Sequence, residues 1–241
     1  MTIKKVLLAL GLTASLSHAA TLSVNLTRSG APTEAGFTNW ATNDNTLPSD
    51  LSATLGSDNL TLSAPSTGIN AGTTLRSIDR GGNDGYAGTL TSLTRTWWGQ
   101  RASSTGAGGY ITIDISGLSA GTYTFTSWHL DHEDQTGGMT IDFSDNDGSS
   151  FSNVVPAFDL LNYAGGGATP ADNAAAPYVA TFNFVSTGAD VQIRFRNNAA
   201  GTSSTAFALV NGFEIATVPE PSASVLVGLA AGFGLLRRRR R

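Results

Sequence analysis

Between Tyr110 and Ser116 the chain alternates strictly: Ile111, Ile113 and Ile115 fall on one side, and Thr112, Asp114 and Ser116 fall on the other. Successive side chains of an extended strand point to opposite faces, so a period of two commits this segment to a strand with one face in a core and one towards water. Nothing helical fits it. The turn Gly117, Leu118, Ser119, Ala120, Gly121 follows, and residues 122–128 resume as a strand with Tyr123 and Phe125 inward, so the two are expected to pair as a hairpin. Further strands are expected at 139–143, at 179–184 with Phe182 and Phe184 aligned, at 191–195 around Ile193, and at 206–215. The first half is less regular. Leu22, Val24 and Leu26 alternate, 60–62 and 75–78 fit short strands, and 80–109 reads as Gly-rich loop around Trp97 and Trp98. Many short strands broken by Gly and Asn turns predict an all-β, two-sheet antiparallel β-sandwich, with a jelly roll as the preferred topology.

Both ends read as addresses rather than as fold. Lys4 and Lys5 precede an apolar run, 6–16, and Ser17, His18 and Ala19 set small residues at the minus-three and minus-one positions of a cleavage site. That is the pattern of a secretory signal peptide cut after Ala19, with Ala20 as the alternative. At the other end Val218, Pro219, Glu220 and Pro221 lead into an apolar stretch, 223–236, stopped by Arg237, Arg238, Arg239, Arg240 and Arg241. As a helix those residues reach roughly 21 Å at about 1.5 Å per residue, short of a hydrocarbon core of about 30 Å. A transient membrane insertion fits this length, with the arginines held on the cytoplasmic side. A plain tail anchor, or a greasy helix docked on the domain, explains neither the Pro-Glu-Pro motif nor the arginines.

The segment 218–241 closely resembles the PEP-CTERM sorting signal of bacterial exported proteins: the motif, the Gly-containing apolar segment and the arginine run stand in that order. The resemblance implies a secretion translocon and an exosortase, an integral-membrane cysteine transpeptidase, as partners. Pro219, Glu220 and Pro221 are then substrate positions, and the product is expected at the cell envelope, the outer surface or the extracellular matrix of a bacterium. The domain organisation expected is a signal peptide at 1–19, a β-sandwich at 20–217 and the sorting signal at 218–241. A second, looser resemblance covers about a third of the chain. Residues 110–128 look like the central hairpin of galactose-binding-domain-like jelly rolls, and 207–215, with Asn211, Gly212 and Phe213, are similar to the last strand of malectin-like modules.

Without its two ends the chain is far more acidic. Two of the 14 basic residues lie in the leader and five in the tail, leaving seven arginines against 17 of the 18 acidic residues. A nucleic-acid partner is excluded on that balance, since binding it needs a basic face. The chain has no cysteine, which excludes disulfides and thiolate metal sites.

Three clusters are candidates for chemistry. His129, Asp131, His132, Glu133 and Asp134 follow the aromatic strand, where His129, Asp131 and Glu133 can be cation ligands or part of a solvated acidic loop. Asp142, Asp145, Asn146, Asp147 and Gly148 form the second. With Gly148 as the sixth residue of an EF-hand loop, Phe143 and Val154 would occupy the first and twelfth positions, where oxygen ligands are required. A β-turn reversing the chain between 139–143 and 151–155 suffices, with a structural calcium at Asp145 and Asp147 as the alternative. Trp97, Trp98 and Arg101 are the third: on a loop they offer a stacking platform and a hydrogen-bonding partner for a sugar, and buried they are core.

No nucleophile setting, metalloprotease spacing or phosphate-binding loop is present. The expected role is structural or adhesive and non-catalytic, without a cofactor. A carbohydrate-binding module for polysaccharide is the alternative, and a secreted glycan-active enzyme the third reading.

Overall fold

The computed structural model describes residues 19–65, 75–80, 90–101, 109–131, 138–159, 177–198 and 207–219. Residues 1–18 of the leader, Glu220, Pro221, the apolar segment 223–236 and the terminal arginines lie outside the described residues, as do the Gly-rich stretch 81–88, His132, Glu133 and Asp134. Ala20–Val218 forms one compact unit. Among the described residues no helix is long and apolar enough to cross a membrane.

The unit is a β-sandwich, as the alternation predicts. One sheet contains β1 (Thr21–Arg28), β2 (Thr38–Thr42), β8 (Gly121–His129), β11 (Tyr178–Ser186) and β14 (Gly212–Thr217), in the order β11-β8-β14-β1-β2. The other contains β3 (Leu51–Leu55), β4 (Asp58–Ser63), β7 (Tyr110–Ser116), β9 (Gly138–Ser144), β10 (Ser152–Asp159) and β12 (Val191–Asn197), in the order β10-β9-β12-β7-β4-β3. A third, small sheet joins β5 (Arg76–Asp79), β6 (Thr96–Arg101) and β13 (Phe207–Val210). A short helix, α1 (Thr91–Arg95), precedes β6 inside the stretch expected as loop. The pairings are antiparallel except that of β1 with β2.

The strand 110–116 and the one after it do not form the expected hairpin. β7 pairs with β12 and β4, whereas β8 pairs with β11 and β14 in the opposite sheet. The turn between them carries the chain across the sandwich. Alternation fixes which face of a strand is apolar, and two apolar faces meet equally well across a core as side by side. The turn itself is held from another strand: Asp58 accepts from the backbone N–H of Ser119 (3.0 Å), its hydroxyl (2.6 Å) and the Tyr123 hydroxyl (3.2 Å). These bonds hold the Asp58 carboxyl below its ordinary range, the Ser119 hydroxyl contributing most. The expected turn at Asp147 and Gly148 is present between β9 and β10, with both residues at positive φ (54° and 72°).

Phe125 sits at the centre of the core. It stacks on Phe213 (ring centroids 5.4 Å apart) in its own sheet and meets Phe195 (6.3 Å) in the other. Ile111, Ile113, Ile115, Val191 and Ile193 supply the facing layer, all fully buried.

The expected strand 206–215 is broken at Asn211 into β13 and β14, which lie in different sheets. The break has a polar cause. Asn211 is fully buried, and its side-chain oxygen accepts from Leu130 N (2.6 Å) while its amide donates to the carbonyls of Thr96 (2.8 Å), Leu130 (3.1 Å) and Thr94 (3.4 Å). Its backbone accepts from Leu26 N and donates to the Trp128 carbonyl, both at 2.9 Å. The next residue is Gly212, where a Cβ would come within 2.5 Å of both Leu93 Cδ1 and the Val24 carbonyl oxygen. Nothing larger fits there.

The start of β1 and the end of β14 are clasped side by side. Ala20 N donates to Thr217 Oγ1 (2.8 Å), Thr217 N to Ala20 O (2.9 Å), and Val218 N to Thr122 O (2.9 Å).

Asn211→Leu keeps the volume but strands the Leu130 N–H and three buried carbonyls, each costing about 1–3 kcal/mol less whatever repartnering occurs. The expected loss is about 3 kcal/mol or more, read as a fall in the urea midpoint at unchanged slope.

Candidate functional site

One end of the sandwich gathers Trp97, Trp98, His129 and Asp131, and their roles there are structural. Trp97 and Trp98 are 1 % and 0 % exposed, so neither offers a stacking platform to a ligand. Adjacent residues on a strand point to opposite faces, which for a surface strand leaves one outside. Here β6 is the middle strand of the small sheet and both of its faces are covered. Trp98 meets Trp40 (4.9 Å) and donates from Nε1 to the Thr27 carbonyl (2.9 Å), while Trp97 meets Phe207 (5.4 Å) with the Arg80 guanidinium 5.7 Å from its ring. The backbone of Arg101, the last residue of β6, pairs with Phe207. Among the described residues the Trp97 Nε1 and both polar atoms of the Gln100 carboxamide are buried without a hydrogen-bond partner.

His129 and Asp131 are not gathered as cation ligands. His129 is fully buried among Phe158, Tyr178 and Phe195; its Nδ1 donates to the Leu209 carbonyl (2.7 Å), which leaves Nε2 to accept from the Ser127 hydroxyl (2.9 Å). Burial pushes its pKa down to about 4, against the opposing pull of the Leu209 bond. This serine–histidine pair is neutral and shut off from solvent, so it has no route to a substrate. Asp131 is held by Arg80 in a two-pronged ion pair (2.8 and 2.9 Å). Glu133 lies outside the described residues. Asp145 and Asp147 are exposed on the β9–β10 turn, and among the described residues no three His, Asp or Glu side chains come together as a metal site.

The site that the sequence reading missed lies on the outer face of the six-stranded sheet. An open pocket of about 250 Å³ is lined by Tyr110, Thr112 and Asp114 of β7, Gln192 and Arg194 of β12, and the turn residues Asp147, Gly148 and Phe151, with Pro65 at its rim. Register brings the strand residues together: Asp114 stands opposite Gln192, and Thr112 opposite Arg194. Arg194 is fixed on three sides. It donates to Asp142 (Nη2–Oδ2 2.9 Å), lies 3.9 Å from the centre of the Phe151 ring, and lies 5.8 Å from that of Tyr110. Asp142, expected as part of an acidic cluster, is instead buried beneath Arg194 and Asn153. Gly148 bounds the pocket, since a Cβ there would collide with the Gln192 carboxamide.

Asp114 is the electrostatic feature of this pocket. Among the described residues its Oδ1 is buried without a hydrogen-bond partner, and its pKa is raised to about 6, first by burial and then by the charges of Asp147 and Asp190. The signal was present in the sequence: outward positions of β8 and β11 are Thr, Asn and Val apart from Trp128, whereas those of β7 and β12 include Tyr, Asp, Gln and two Arg. Large polar side chains on one face only mark that face for more than solvation. Chemically the pocket is lined by two aromatic rings, a fixed guanidinium, a carboxamide, a hydroxyl and a carboxyl group.

The protein is thus an all-β sandwich with a polar, aromatic-flanked pocket on one sheet. No protein-family model matches the chain, and no curated protein matches it. Among solved structures it is similar to the ANX2 ectodomain from Arabidopsis thaliana, with a TM-score of 0.53 and 12% identity over 84% of this chain and 51% of that one. Also similar are a Bacteroides uniformis β-glucuronidase (TM-score 0.49, 12% identity, 83% of this chain, 18% of that one) and a family 35 carbohydrate-binding module from Clostridium thermocellum (0.33, 16%, 59% and 90%). The chain spans about half of the ectodomain and a smaller part of the glucuronidase. The agreement with the ectodomain is one of fold.

His129 and Asp114 pull stability in opposite directions with pH. Between pH 6.5 and about 4 the unfolded chain takes up a proton that buried His129 refuses, so its contribution falls with pH, by up to about 3 kcal/mol at the low end. Asp114 does the reverse between pH 6 and 3.8, because the folded chain then holds a proton that the unfolded chain releases. Asp114→Asn should therefore raise the urea midpoint at pH 7 and expose a steady decline in stability from pH 6.5 to 4. An unchanged pH profile would contradict this.

Proposed function

We propose that the protein is an exported, non-catalytic β-sandwich of the bacterial cell surface or extracellular matrix, with an adhesive role exercised by binding neutral polysaccharide in the pocket of the six-stranded sheet. The observation that carries the ligand class is the pairing of aromatic and hydrogen-bonding groups in one small concavity: Tyr110 and Phe151 flank Arg194, with Thr112, Asp114 and Gln192 beside them. A sugar ring presents C–H faces to aromatic rings and hydroxyls to carboxylate, carboxamide and guanidinium groups. A pocket of about 250 Å³ is smaller than the roughly 300–1,000 Å³ of drug-sized ligand sites, which suits one ring of a longer chain. The acidic domain favours a neutral glycan over an anionic one.

The export route rests on the sequence. The leader delivers the chain to the translocon, the short apolar segment 223–236 holds it transiently in the membrane, and an exosortase-type enzyme cuts near Pro219, Glu220 and Pro221. Intact mass of the protein secreted by its native host should correspond to a chain lacking the leader and the arginine tail. A secreted product still carrying Arg237 to Arg241 would overturn the sorting reading.

A second reading, glycan hydrolysis, is favoured by one observation, that Asp114 and Asp147 line the same pocket and Asp114 has a raised pKa. One experiment addresses both. On a glycan array, Phe151→Ala and Gln192→Ala should each weaken binding by about tenfold, the loss of roughly 1.4 kcal/mol of contact. Release of reducing ends that disappears in Asp114→Asn would establish the enzyme instead, and absence of saturable binding would sink the lectin reading.

A further inference from the structure

The four outer strands of the two large sheets are unequal. β2 and β3 are five residues each, and β10 is interrupted by Pro156 and by two shifts of register against β9. Short length, proline and bulges are how sheets discourage further pairing at an edge. β11 has none of them. It runs nine residues, Tyr178–Ser186, pairs with β8 residue by residue without a break, and carries neither charge nor proline. Among the described residues no strand pairs with its second edge.

Its sequence is self-complementary. The outward row is Val179, Thr181, Asn183 and Val185, and the two valines are 48 % and 60 % exposed. Laid antiparallel on a second copy about a two-fold at Phe182, Val179 meets Val185 of the other copy and Thr181 meets Asn183. On the inner face Ala180 meets Phe184, small against large. Apolar pairs at the ends and hydrogen-bonding pairs in the middle are the combination that stabilises cross-strand neighbours, and a two-fold interface requires this self-matching.

We propose that β11 pairs with β11 of a second copy of this chain, joining the two five-stranded sheets into one. The occupant follows from the match of the edge with itself, in the absence of any charged residue to select another partner. The two-fold of an antiparallel pair within a sheet is perpendicular to that sheet. Both six-stranded sheets, and both pockets, therefore face the same way. Such a dimer offers two sites to one surface, which raises avidity without any new contact at either site.

Cross-linking tests the register. The chain has no cysteine, and positions 179 and 185 of one strand are about 20 Å apart, so a disulfide between them must join two copies. The protein purified from its secreting host should show the mass of two chains by light scattering at tens of micromolar, a range in which weak edge pairing is populated. The double variant Val179→Cys/Val185→Cys should oxidise to a covalent dimer, whereas Val179→Cys alone should not. Val185→Lys should weaken association by about tenfold, and adding Val179→Glu should restore it. A single-chain mass throughout that range would overturn the proposal, whether the edge is bare or covered by another part of the chain. Equal cross-linking of the single and double cysteine variants would overturn it as well.

Discussion

Asn211 ties the five-stranded sheet to the small sheet through one buried carboxamide. Its side chain reaches Thr94 and Thr96, at the entry to the small sheet, and Leu130, just beyond the end of β8, while its backbone bonds to Leu26 of β1 and Trp128 of β8. A strand that ran straight through position 211 would have to choose one sheet. By donating and accepting at once, the asparagine satisfies the groups that the crossing exposes, and β13 and β14 can then belong to different layers. Gly212 completes the arrangement by letting Val24 and Leu93 close over the backbone. The cover over Trp97 and Trp98, and hence the character of the whole pole, depends on this junction.

Period-two patterns located eight strands of the sandwich, but not which strands are neighbours. Ile111, Ile113 and Ile115 announce an apolar face, and Tyr123 and Phe125 announce another; the pattern is the same whether those faces lie side by side or across the core from each other. β2 and β3 were illegible because Thr38–Thr42 and Leu51–Leu55 are short and rich in Thr, Ser and Ala, with burial confined to Trp40, Thr42 and Leu55. Local spacing left the tryptophan pair open between platform and core, and the core alternative holds because the cover on both rings comes from residues distant in sequence, Trp40 and Phe207. His129 looked like the head of an acidic loop because its burial comes from Phe158, Tyr178 and Phe195, residues distant in sequence. The pocket escaped because Asp114 and Gln192 are joined only by register.

The two outer faces of the sandwich are chemically distinct. On the five-stranded sheet, Thr124 bonds to Asn183, Thr126 to Thr181 and Ser23 to Glu214, so small polar side chains satisfy one another. On the six-stranded sheet, Arg194 is shared between a buried carboxylate and two rings, and among the described residues Asp114 keeps an oxygen unsatisfied. A surface whose groups are already partnered gains little from a ligand. One that keeps a carboxylate short of partners gains more, and the proposed binding to the second sheet rests on this asymmetry.

The clasp between Ala20 and Thr217 has a mechanical side. β1 and β14 are antiparallel neighbours with these ends adjacent, so a force separating the two ends would peel the strands apart one bond at a time, the weakest way to load a sheet. A force entering through Val218 alone is different. It pulls along β14, the middle strand of its sheet, gripped by β8 on one side and β1 on the other, and the bonds of both ladders resist together. A molecule held at its C-terminal end and loaded through a ligand on the opposite sheet would thus be strained in its strong direction.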